Sequence, residues 1–417
     1  MTESTSQATP RRAALVFIFI TVLLDILAMG MIIPVLPKII VDFLDNDTAR
    51  AAEVFGLFST IWALMQFVFS PVLGALSDRH GRRPVILLSN FGLGLDYILM
   101  ALAPTLGWLF VGRVISGITS ASITTASAYI ADVTPPEKRA ASFGLIGAAM
   151  GVGFVMGPAL GGVLADVSPR LPFWVAAALS LANAMYGLLV LPESLPPERR
   201  QGFQWRRANP VGALGLLRST PEVLGLATVH FLNNLAHVVL PSVFVLYGSH
   251  RFAWDERTIG LIMASLGLCF MVVQGGLLRP VVKLLGERRT MLLGFLLGAM
   301  GFAIHGLAET GATFLIGIPV MALWGFSGPT SQGLMTSRVS QSEQGQLQGA
   351  LSSLTGITGM IGPWLFTQTF AHFIDTRHAW NLPGAPFLLA ALLLLLALGL
   401  AWRVTSTRRE ATAPSTA

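Results

Sequence analysis

The chain has 417 residues, of which 53% are hydrophobic and only 12% are charged, and its mean hydropathy is +0.68. A soluble core cannot bury this composition, because too little polar surface remains to cover it, so the solvent has to be largely lipid. The net charge of +6 follows from membrane orientation, as shown below, and does not indicate a nucleic-acid partner.

Twelve long apolar segments remain when the sequence is cut at its charged residues. Each contains or approaches the ~20 residues that a helix needs to cross ~30 Å of hydrocarbon. We therefore predict an all-α integral membrane protein with twelve transmembrane helices, numbered 1 to 12. Their approximate ranges are 13–37, 54–77, 84–112, 114–131, 140–165, 171–192, 223–250, 258–278, 290–308, 310–337, 344–374 and 378–402.

Helix 1 carries an isolated acid. The segment is too long for the apolar part of a signal peptide and has no A-x-A-like cleavage site, so we predict that it is retained. Asp25 lies near its middle, and a carboxylate there costs on the order of 2.5–3.5 kcal/mol unless it meets water or a partner. We interpret Asp25 as a group that binds a proton in one state and a cationic substrate in the other. A structural hydrogen bond between helices is the alternative.

The connection between helices 2 and 3 reads Gly74-Ala-Leu-Ser-Asp78-Arg79-His80-Gly81-Arg82-Arg83-Pro84. Its flanks are membrane-length, so these charges lie in a short loop that the glycines allow to turn. The carboxylate and the arginines can bond to neighbouring helix ends. Because Asp132 ends helix 4 on the same side, we predict a cytoplasmic gate formed by Asp78, Arg82 and Asp132. Incidental ion pairs in a positive loop are the alternative.

Arg113 is the one basic residue inside a predicted span. A buried guanidinium requires a carboxylate or several carbonyl groups as partners. We hypothesise that Arg113 helps a nearby acid, Asp25, to release its proton. A clamp on backbone carbonyl groups is the structural alternative.

Helix 5 contains a stripe of small residues. Gly153, Gly157 and Gly161 recur every fourth residue, which lets a facing helix pack closely, and Pro158 is expected to bend the helix. This pattern predicts close packing. It says nothing by itself about gating.

The longest polar stretch, 193–220, separates six spans from six. We predict an N-terminal six-helix bundle (1–192), a cytoplasmic linker (193–220) and a C-terminal six-helix bundle (221–417). With the N-terminus inside, 20 of the 27 Lys and Arg residues fall in cytoplasmic segments and six in external ones. This asymmetry places both termini in the cytoplasm.

The two halves are related by a shift of 205 positions, which places Gly81 on Gly286, Gly144 on Gly349 and Gly157-Pro158 on Gly362-Pro363. We interpret this as an old duplication that produced two pseudo-symmetric bundles. Such a frame is typical of rocking transporters, whose site lies at the midplane between the halves. The charged loop is not conserved in the second half, because Lys283 occupies the position that corresponds to Asp78.

Helix 7 offers His230, Asn233, Asn234 and His237, and the residues at 230, 234 and 237 lie on one face because they are spaced i, i+4 and i+7. We predict a polar wall for a hydrogen-bonding or chelated substrate, with interhelical hydrogen bonds as the alternative. No third ligand lies nearby, so a metal site is not predicted. The single cysteine, Cys269, lies in a span and gives neither a disulfide framework nor a thiolate cluster.

Three blocks resemble motifs of the major facilitator superfamily. They are the loop from Gly74 to Pro84, Leu109-x-x-x-Arg113-x-x-x-Gly117 in helix 4, and Gly153-x3-Gly157-Pro158-x2-Gly161-Gly162 in helix 5. Further segments along nearly the whole chain resemble the tetracycline/proton antiporters, among them Leu24-Asp25, Leu95-Asp96-Tyr97, Ile130-Ala131-Asp132-Val133-Thr134 and Gln344-Gly345-Gln346-Leu347-Gln348-Gly349.

The resemblance implies export of a tetracycline, as a divalent-metal chelate carrying Mg²⁺, in exchange for protons. It implies that the helix 5 motif takes part in gating and that Asp96, Gln274 and Gln332 lie in the cavity. It also supports the roles predicted for Asp78, Arg82 and Asp132 in the cytoplasmic gate. A polar packing contact is the alternative for Asp96. The sequence departs from this family at Gly298, where a third intramembrane aspartate is expected, and at Phe270, where a histidine is typical. His305, seven residues after Gly298, is a candidate replacement for the missing acid.

We therefore predict a multi-pass antiporter of the bacterial inner membrane, driven by the proton gradient and without a bound cofactor. The sequence has no P-loop, so ATP is not the predicted energy source. The predicted partners are a drug, protons and lipid, and the oligomeric state is not predicted. Export of another amphipathic drug or metabolite is the alternative within this class. A receptor or scaffold without turnover and a membrane enzyme are rivals, disfavoured by the costly intramembrane charges and by the lack of clustered catalytic side chains.

Overall fold

A computed structural model describes residues 8–120, 122–135, 139–200, 202, 212–218, 220–340, 343–375 and 381–406. Over these ranges the chain is helical and contains no strand, as the sequence predicts. The α-helices are α1 (Ala8–Ile32), α2 (Leu36–Phe43), α3 (Thr48–His80), α4 (Arg82–Leu102), α5 (Leu106–Thr119), α6 (Ser122–Val133), α7 (Arg139–Val167), α8 (Leu171–Val190), α9 (Pro221–His237), α10 (Val239–Phe252), α11 (Glu256–Val272), α12 (Leu278–Leu307), α13 (Gly311–Ala322), α14 (Ser327–Thr336), α15 (Gln344–Ile374) and α16 (Ala385–Ser406).

Ten helical stretches of the described chain are long and apolar enough to cross a membrane. One of them, Glu256–Leu307, has 52 residues and would be about 78 Å long if straight. It is interrupted at Gly286, whose φ of 77° and ψ of 161° are not helical, and therefore supplies two spans. The 31 residues of α15 are long enough to cross a membrane and correspond to predicted helix 11. Each of the twelve predicted segments thus corresponds to helical chain.

The internal repeat is visible in the backbone. Gly81 precedes α4 with a φ of 104° and a ψ of 159°, nearly the conformation of Gly286. A positive φ is accessible to glycine and strained for other residues, which explains a glycine at both positions. The duplicated loop thus keeps its turn in the second half, although its charges have changed.

Interruptions of the transmembrane helices repeat as well. A turn at 33–35 separates α1 from α2, and Val238, 205 positions after Ile33, separates α9 from α10. The break after α5 has its counterpart in the 3₁₀ turn Leu323–Phe326 between α13 and α14. The two halves therefore share their helix breaks as well as their glycines.

The chain forms two compact units. Unit 1 consists of Met1–Asn46, Ile61–Asn209 and Trp254–Ser265, and unit 2 of Asp47–Thr60, Pro210–Ala253 and Leu266–Ala417. Each unit thus contains a short segment from the other half of the sequence. The predicted boundaries at 192 and 221 stay a prediction, and residues 201, 203–211 and 219 of the predicted linker lie outside the described residues.

Helix α1 is the centre of unit 1, where it packs against α6, α7 and α8. Its side chains Phe17, Ile18, Val22 and Ile26 are almost fully buried. Since lipid is as apolar as these side chains, van der Waals packing and interhelical hydrogen bonds hold the helices together. Polar groups on α1 therefore lie inside a helix bundle, where they need partners.

Candidate functional site

The carboxylate of Asp25 lies between two side-chain amides in unit 1. Asn183 on α8 donates from Nδ2 to Asp25 Oδ1 at 3.2 Å. The amide of Asn90 on α4, with its nitrogen turned toward Asp25, donates to Oδ2 and Oδ1 at 3.2 and 3.3 Å. Asp25 is 7% exposed, Asn90 1% and Asn183 0%. A costly buried carboxylate is thereby compensated by neutral donors from two neighbouring helices.

Asp96 and Arg113 form a second polar group in unit 1. Asp96 is 1% exposed, and its two carboxylate oxygens have no hydrogen-bond partner among the described residues. Arg113 interacts electrostatically with Asp96, and its guanidinium lies 5.2 Å from the centroid of the Trp62 ring. A Cβ at position 112 would be 3.0 Å from Asp96 Oδ1, so Gly112 leaves room for the acid. The hypothesis for Arg113 named Asp25, whereas the geometry brings it beside Asp96.

The three residues of the predicted gate come together. Arg82 NH1 is 2.5 Å from Asp78 Oδ1, and Arg82 Nε is 3.1 Å from Asp132 Oδ2. Arg82 NH1 also donates to Ser77 Oγ at 2.7 Å. The Arg82 side chain is only 11% exposed, so this arrangement is more than a loose surface ion pair. It ties the end of α3 and the start of α4 to the end of α6.

Glu193, to which the sequence analysis assigned no role, follows the end of α8 and binds the same loop. Its carboxylate accepts hydrogen bonds from the backbone N–H groups of Arg82 at 2.8 Å and Arg83 at 3.3 Å. These are free N–H groups in the first turn of α4, where a negative charge also stabilises the helix dipole. A Cβ on Gly81 would collide with the same carboxylate. The signal in the sequence was a single acid just after helix 6, on the side of the charged loop.

The glycine stripe of α7 faces α1. A Cβ on Gly153 would lie 2.6 Å from Ile26 Cγ2, and one on Gly157 would lie 2.7 Å from Gly30 Cα. At Gly161 the same atom would collide with the backbone of Met31. The close packing expected from the spacing is therefore present, with α1 as the facing helix. The helix α7 continues through Pro158 to Val167.

In unit 2 the predicted polar wall of α9 is organised around Trp324. The ring of His237 is 5.4 Å from the Trp324 ring. Trp324 Nε1 donates to Asn233 Oδ1 at 2.8 Å, and Ser327 Oγ donates to the same oxygen at 3.2 Å. Asn234 instead donates to the carbonyl of His230 on its own helix, at 2.9 Å. Asn233 thus makes hydrogen bonds to neighbouring helices, and the substrate wall expected of His230, Asn234 and His237 stays a prediction.

Gln274 and Gln332 lie on different parts of unit 2. Gln274 is in the π-helical turn Val273–Leu277, and its side chain is exposed. A Cβ on Gly325 would be 3.3 Å from Gln274 Cγ, which places Gln274 beside the 3₁₀ turn that carries Trp324. Gln332 is also exposed and donates to Gln348 Oε1 on α15 at 3.0 Å.

The position of the missing helix 9 acid is filled by other side chains. A Cβ on Gly298 would lie 2.8 Å from Cβ and Cγ of Trp324 and 2.8 Å from Cδ1 of Leu394. There is no space for a carboxylate. Phe270, at the position typical of a histidine, has its ring 6.3 Å from the Trp324 ring. Aromatic packing thus replaces both ionisable groups.

His305 lies in an aromatic cluster. It is 0% exposed, its ring stacks on Phe314 at 4.1 Å, and its carbonyl accepts a hydrogen bond from the Tyr247 hydroxyl at 2.8 Å. A Cβ on Gly317 would lie 2.7 Å from His305 Cδ2. The role suggested for His305 as a substitute acid stays a prediction, and its surroundings are those of a packed core.

The fold is shared with known transporters. The chain superimposes with a TM-score of 0.77 on a bacterial homolog of the human lysosomal transporter Spinster, solved in an inward-facing and unoccupied conformation. The two sequences are 17% identical, and the match covers 99% of this chain and 100% of the other. The sequence profile of the Major Facilitator Superfamily matches residues 18–363 and 252–417.

The chain belongs to the major facilitator superfamily. Within it, the chain is 38% identical to the class C tetracycline resistance protein of Escherichia coli, over 94% of this chain and 99% of that protein. It is 35% identical to the class G tetracycline resistance protein of Vibrio anguillarum, over 95% and 99% of the two chains. The resemblance inferred from the sequence motifs is confirmed.

The contact of Glu193 gives a prediction for this major facilitator protein. Glu193→Ala should reduce the transport rate about fivefold to tenfold, because losing charge-assisted bonds to a helix N-terminus costs about 1–2 kcal/mol of loop anchoring. The loop should also become more accessible. We would measure this in a Cys269→Ser background, by labelling of His80→Cys with a membrane-impermeant thiol reagent.

Glu198→Ala is the matched control for Glu193→Ala. Glu198 is an exposed acid five residues further along the same segment, in the 3₁₀ turn Pro197–Arg199. We expect its removal to change neither labelling nor transport. Equal effects of the two substitutions would show that Glu193 acts only as a surface charge and does not anchor the loop.

Proposed function

We propose that this protein exports a tetracycline, as a divalent-metal chelate, in exchange for protons. The cargo is supported by the full-length similarity to proteins named tetracycline resistance proteins. The observation that carries the exchange mechanism is the buried carboxyl of Asp25 at the centre of unit 1. An isolated acid at this depth is costly to maintain and is typical of ion and substrate pathways in membranes.

Proton coupling is proposed to use Asp25 and Asp96. Asp25 binds a proton in one conformation and gives it up when the cationic chelate binds, so the two ligands compete. Arg113, which interacts electrostatically with Asp96, is proposed to help that acid release its proton. Trp62 keeps the guanidinium oriented, since an arginine over an indole ring is attracted to its face.

The cargo is proposed to contact the polar and aromatic wall of unit 2. His230, Asn234, His237, Gln274 and Gln332 are its candidate residues, and the buried Trp324 supports the ring of His237. The Mg²⁺ ion belongs to the chelate. In the described part of the chain no group of three His, Cys, Asp or Glu side chains could hold a metal ion.

The ion-paired group of Asp78, Arg82 and Asp132 is proposed to be a cytoplasmic gate. Two carboxylates on one guanidinium lock α3, α4 and α6 together, and the bonds have to break or re-form as the transporter changes conformation. The glycine stripe of α7 is proposed to act with it, because glycines at 153, 157 and 161 let α1 and α7 slide at close range. The protein would lie in the inner membrane with both termini in the cytoplasm.

The test adds tetracycline with magnesium to energised inverted membrane vesicles and follows drug uptake together with the pH gradient. We expect uptake that dissipates the gradient and that stops when a protonophore is added. Vesicles without the protein are the control for passive drug entry. Uptake that continues after the gradient has been abolished would contradict proton exchange.

One observation favours a second class of cargo, an amphipathic compound other than a tetracycline. Trp324, Leu394 and Phe270 fill the positions where the resemblance predicts an acid and a histidine. Fewer ionisable groups in unit 2 favour a less highly charged amphipathic compound. A response to such a compound and none to tetracycline would retain the antiport mechanism and replace the cargo.

A further inference from the structure

We propose that Asn90 and Asn183 are the positioning residues of the proton site, which hold Asp25 in place and stabilise its ionised form with hydrogen bonds. The inference rests on the proposed coupling role of Asp25 and names the groups that make the coupling reversible. Neither asparagine belongs to a motif described above. Asn183 lies on α8, which packs against α1, and Asn90 lies on α4, which packs against α8. Both are buried, and both reach the same carboxylate.

The ionised form of Asp25 is matched by the hydrogen atoms of the two amides. Asn90 Nδ2 lies 3.2 Å from Oδ2, and Asn183 Nδ2 lies 3.2 Å from Oδ1, so each carboxylate oxygen has a donor. An amide nitrogen carries two hydrogen atoms and no charge. The pair therefore stabilises the carboxylate without forming a permanent salt bridge that a proton would have to break.

Asn183 has more acceptors than hydrogen atoms. Its Nδ2 lies within hydrogen-bond distance of three oxygens: Asp25 Oδ1 at 3.2 Å, the Thr21 carbonyl at 3.2 Å and Asn90 Oδ1 at 3.0 Å. Two hydrogens can serve two of these oxygens well at any time. If Asp25 becomes protonated and withdraws as an acceptor, Asn183 keeps two good partners and no buried donor is orphaned.

Protonation of Asp25 does not disrupt the asparagine pair. Asn183 Nδ2 still lies 3.0 Å from Asn90 Oδ1 and 3.2 Å from the Thr21 carbonyl, so the two amides stay bonded to each other. A carboxylic acid also keeps lone pairs that can accept a hydrogen bond from Asn90. The two donors therefore favour the carboxylate without depending on it, and the proton can bind or leave.

Other charges are less direct neighbours of Asp25. Tyr97 interacts electrostatically with it, and Tyr97 in turn with Asp96 and Arg113. Arg82, Arg83 and Asp132 belong to the gate region, and Asp166 is paired with Arg257. The titratable or charged side chains described on helices packed against α1, or on α4 and its neighbour α5, are Arg82, Arg83, Asp96, Tyr97, Arg113, Tyr129, Asp132, Asp166 and Tyr186.

The test measures protonation of Asp25 directly, without a cargo. Infrared spectra of the purified protein are recorded against pH, and the Asp25 carboxyl band is assigned as the band that is missing in Asp25→Asn. Asn183→Ala and Asn90→Ala each remove donors from the carboxylate. We expect each to move the midpoint of this band by about one to two pH units to the alkaline side, equivalent to a tenfold to hundredfold change in proton affinity.

Ser180→Ala is the matched control. Ser180 lies one turn before Asn183 on α8 and is 1% exposed, and its Oγ has no partner among the described residues. We expect the midpoint of the Asp25 carboxyl band in Ser180→Ala to equal that in the unmodified protein. Gel filtration in detergent tests folding of every variant, and either asparagine variant alone suffices for the measurement.

The outcomes separate this inference from the proposed function. A midpoint that stays within a few tenths of a pH unit in a folded Asn183→Ala or Asn90→Ala protein would overturn the inference, whatever is transported. A shifted midpoint in a protein that moves no tetracycline would support the inference and remove the cargo. The absence of any titrating Asp25 band would overturn both the coupling role and the inference.

Discussion

Replacing Asp25 with asparagine is expected to reduce proton-driven drug uptake to background, while the protein is still inserted and folded. Asparagine has nearly the shape of aspartate, and its side-chain oxygen can still accept the bond from Asn183. It cannot bind and release a proton. The substitution therefore removes the coupling and leaves the packing of α1 against α8 in place. Drug uptake and acidity changes in energised inverted vesicles measure the effect.

Asp166→Asn is the matched control for Asp25→Asn. Asp166 lies at the end of α7 and is 3.7 Å from Arg257, with side chains that are 37% and 61% exposed. An exposed pair of this kind contributes little to stability. We expect near-normal transport. Normal transport in Asp25→Asn, at equal protein levels, would exclude Asp25 from coupling.

The second large effect is expected at Gly298. Introducing the family's acid with Gly298→Asp should destabilise the protein and abolish transport rather than improve coupling. Its Cβ would lie 2.8 Å from atoms of Trp324 and Leu394, closer than real Cβ contacts. Overpacking costs about 1–3 kcal/mol, and a charge at this depth adds about 2.5–3.5 kcal/mol.

Two alanine variants divide the effect of Gly298→Asp into its parts. Gly298→Ala introduces the Cβ without the charge and should show the packing cost alone. Gly399→Ala, in α16, places a Cβ where nothing lies within 4 Å and should leave the melting temperature in detergent unchanged. A Gly298→Asp protein as stable as the parent, with faster transport, would show that unit 2 accepts the acid after all.

The sequence predicted the helical segments and the meeting of Asp78, Arg82 and Asp132, because both depend on where the apolar segments end. Helix length and charge placement are set by the bilayer, and Asp78, Arg82 and Asp132 are brought to one face by the ends of three predicted spans. The stripe of glycines at 153, 157 and 161 likewise implied a close neighbour. The pattern could not say that this neighbour is α1.

Partners that come from distant helices could not be predicted in the same way. Asn90 and Asn183 are 93 residues apart in the sequence, and each looks like an ordinary polar residue in an apolar segment. Their meeting at Asp25 depends on how α8 packs against α1 and how α4 packs against α8. The same holds for Trp324, whose ring occupies the space beside Gly298. Helical periodicity placed Asn234 on the polar face, and it could not show that the neighbouring Asn233 is bonded to Trp324.

The composition of the two units has a consequence for how the protein is made. Unit 1 includes Trp254–Ser265, so it cannot be completed on the ribosome until the start of α11 has been synthesised. Within that unit, Gly260 packs directly against the backbone of Pro158 on α7, since a Cβ on Gly260 would collide with the Pro158 carbonyl. This face of α7 is therefore uncovered until Gly260 has been synthesised, and so also while α9 and α10 are being inserted. A nascent chain of about 200 residues would therefore expose an unfinished surface in the membrane. Protection of that surface during biosynthesis, by lipid or by an insertion factor, becomes a requirement of the fold.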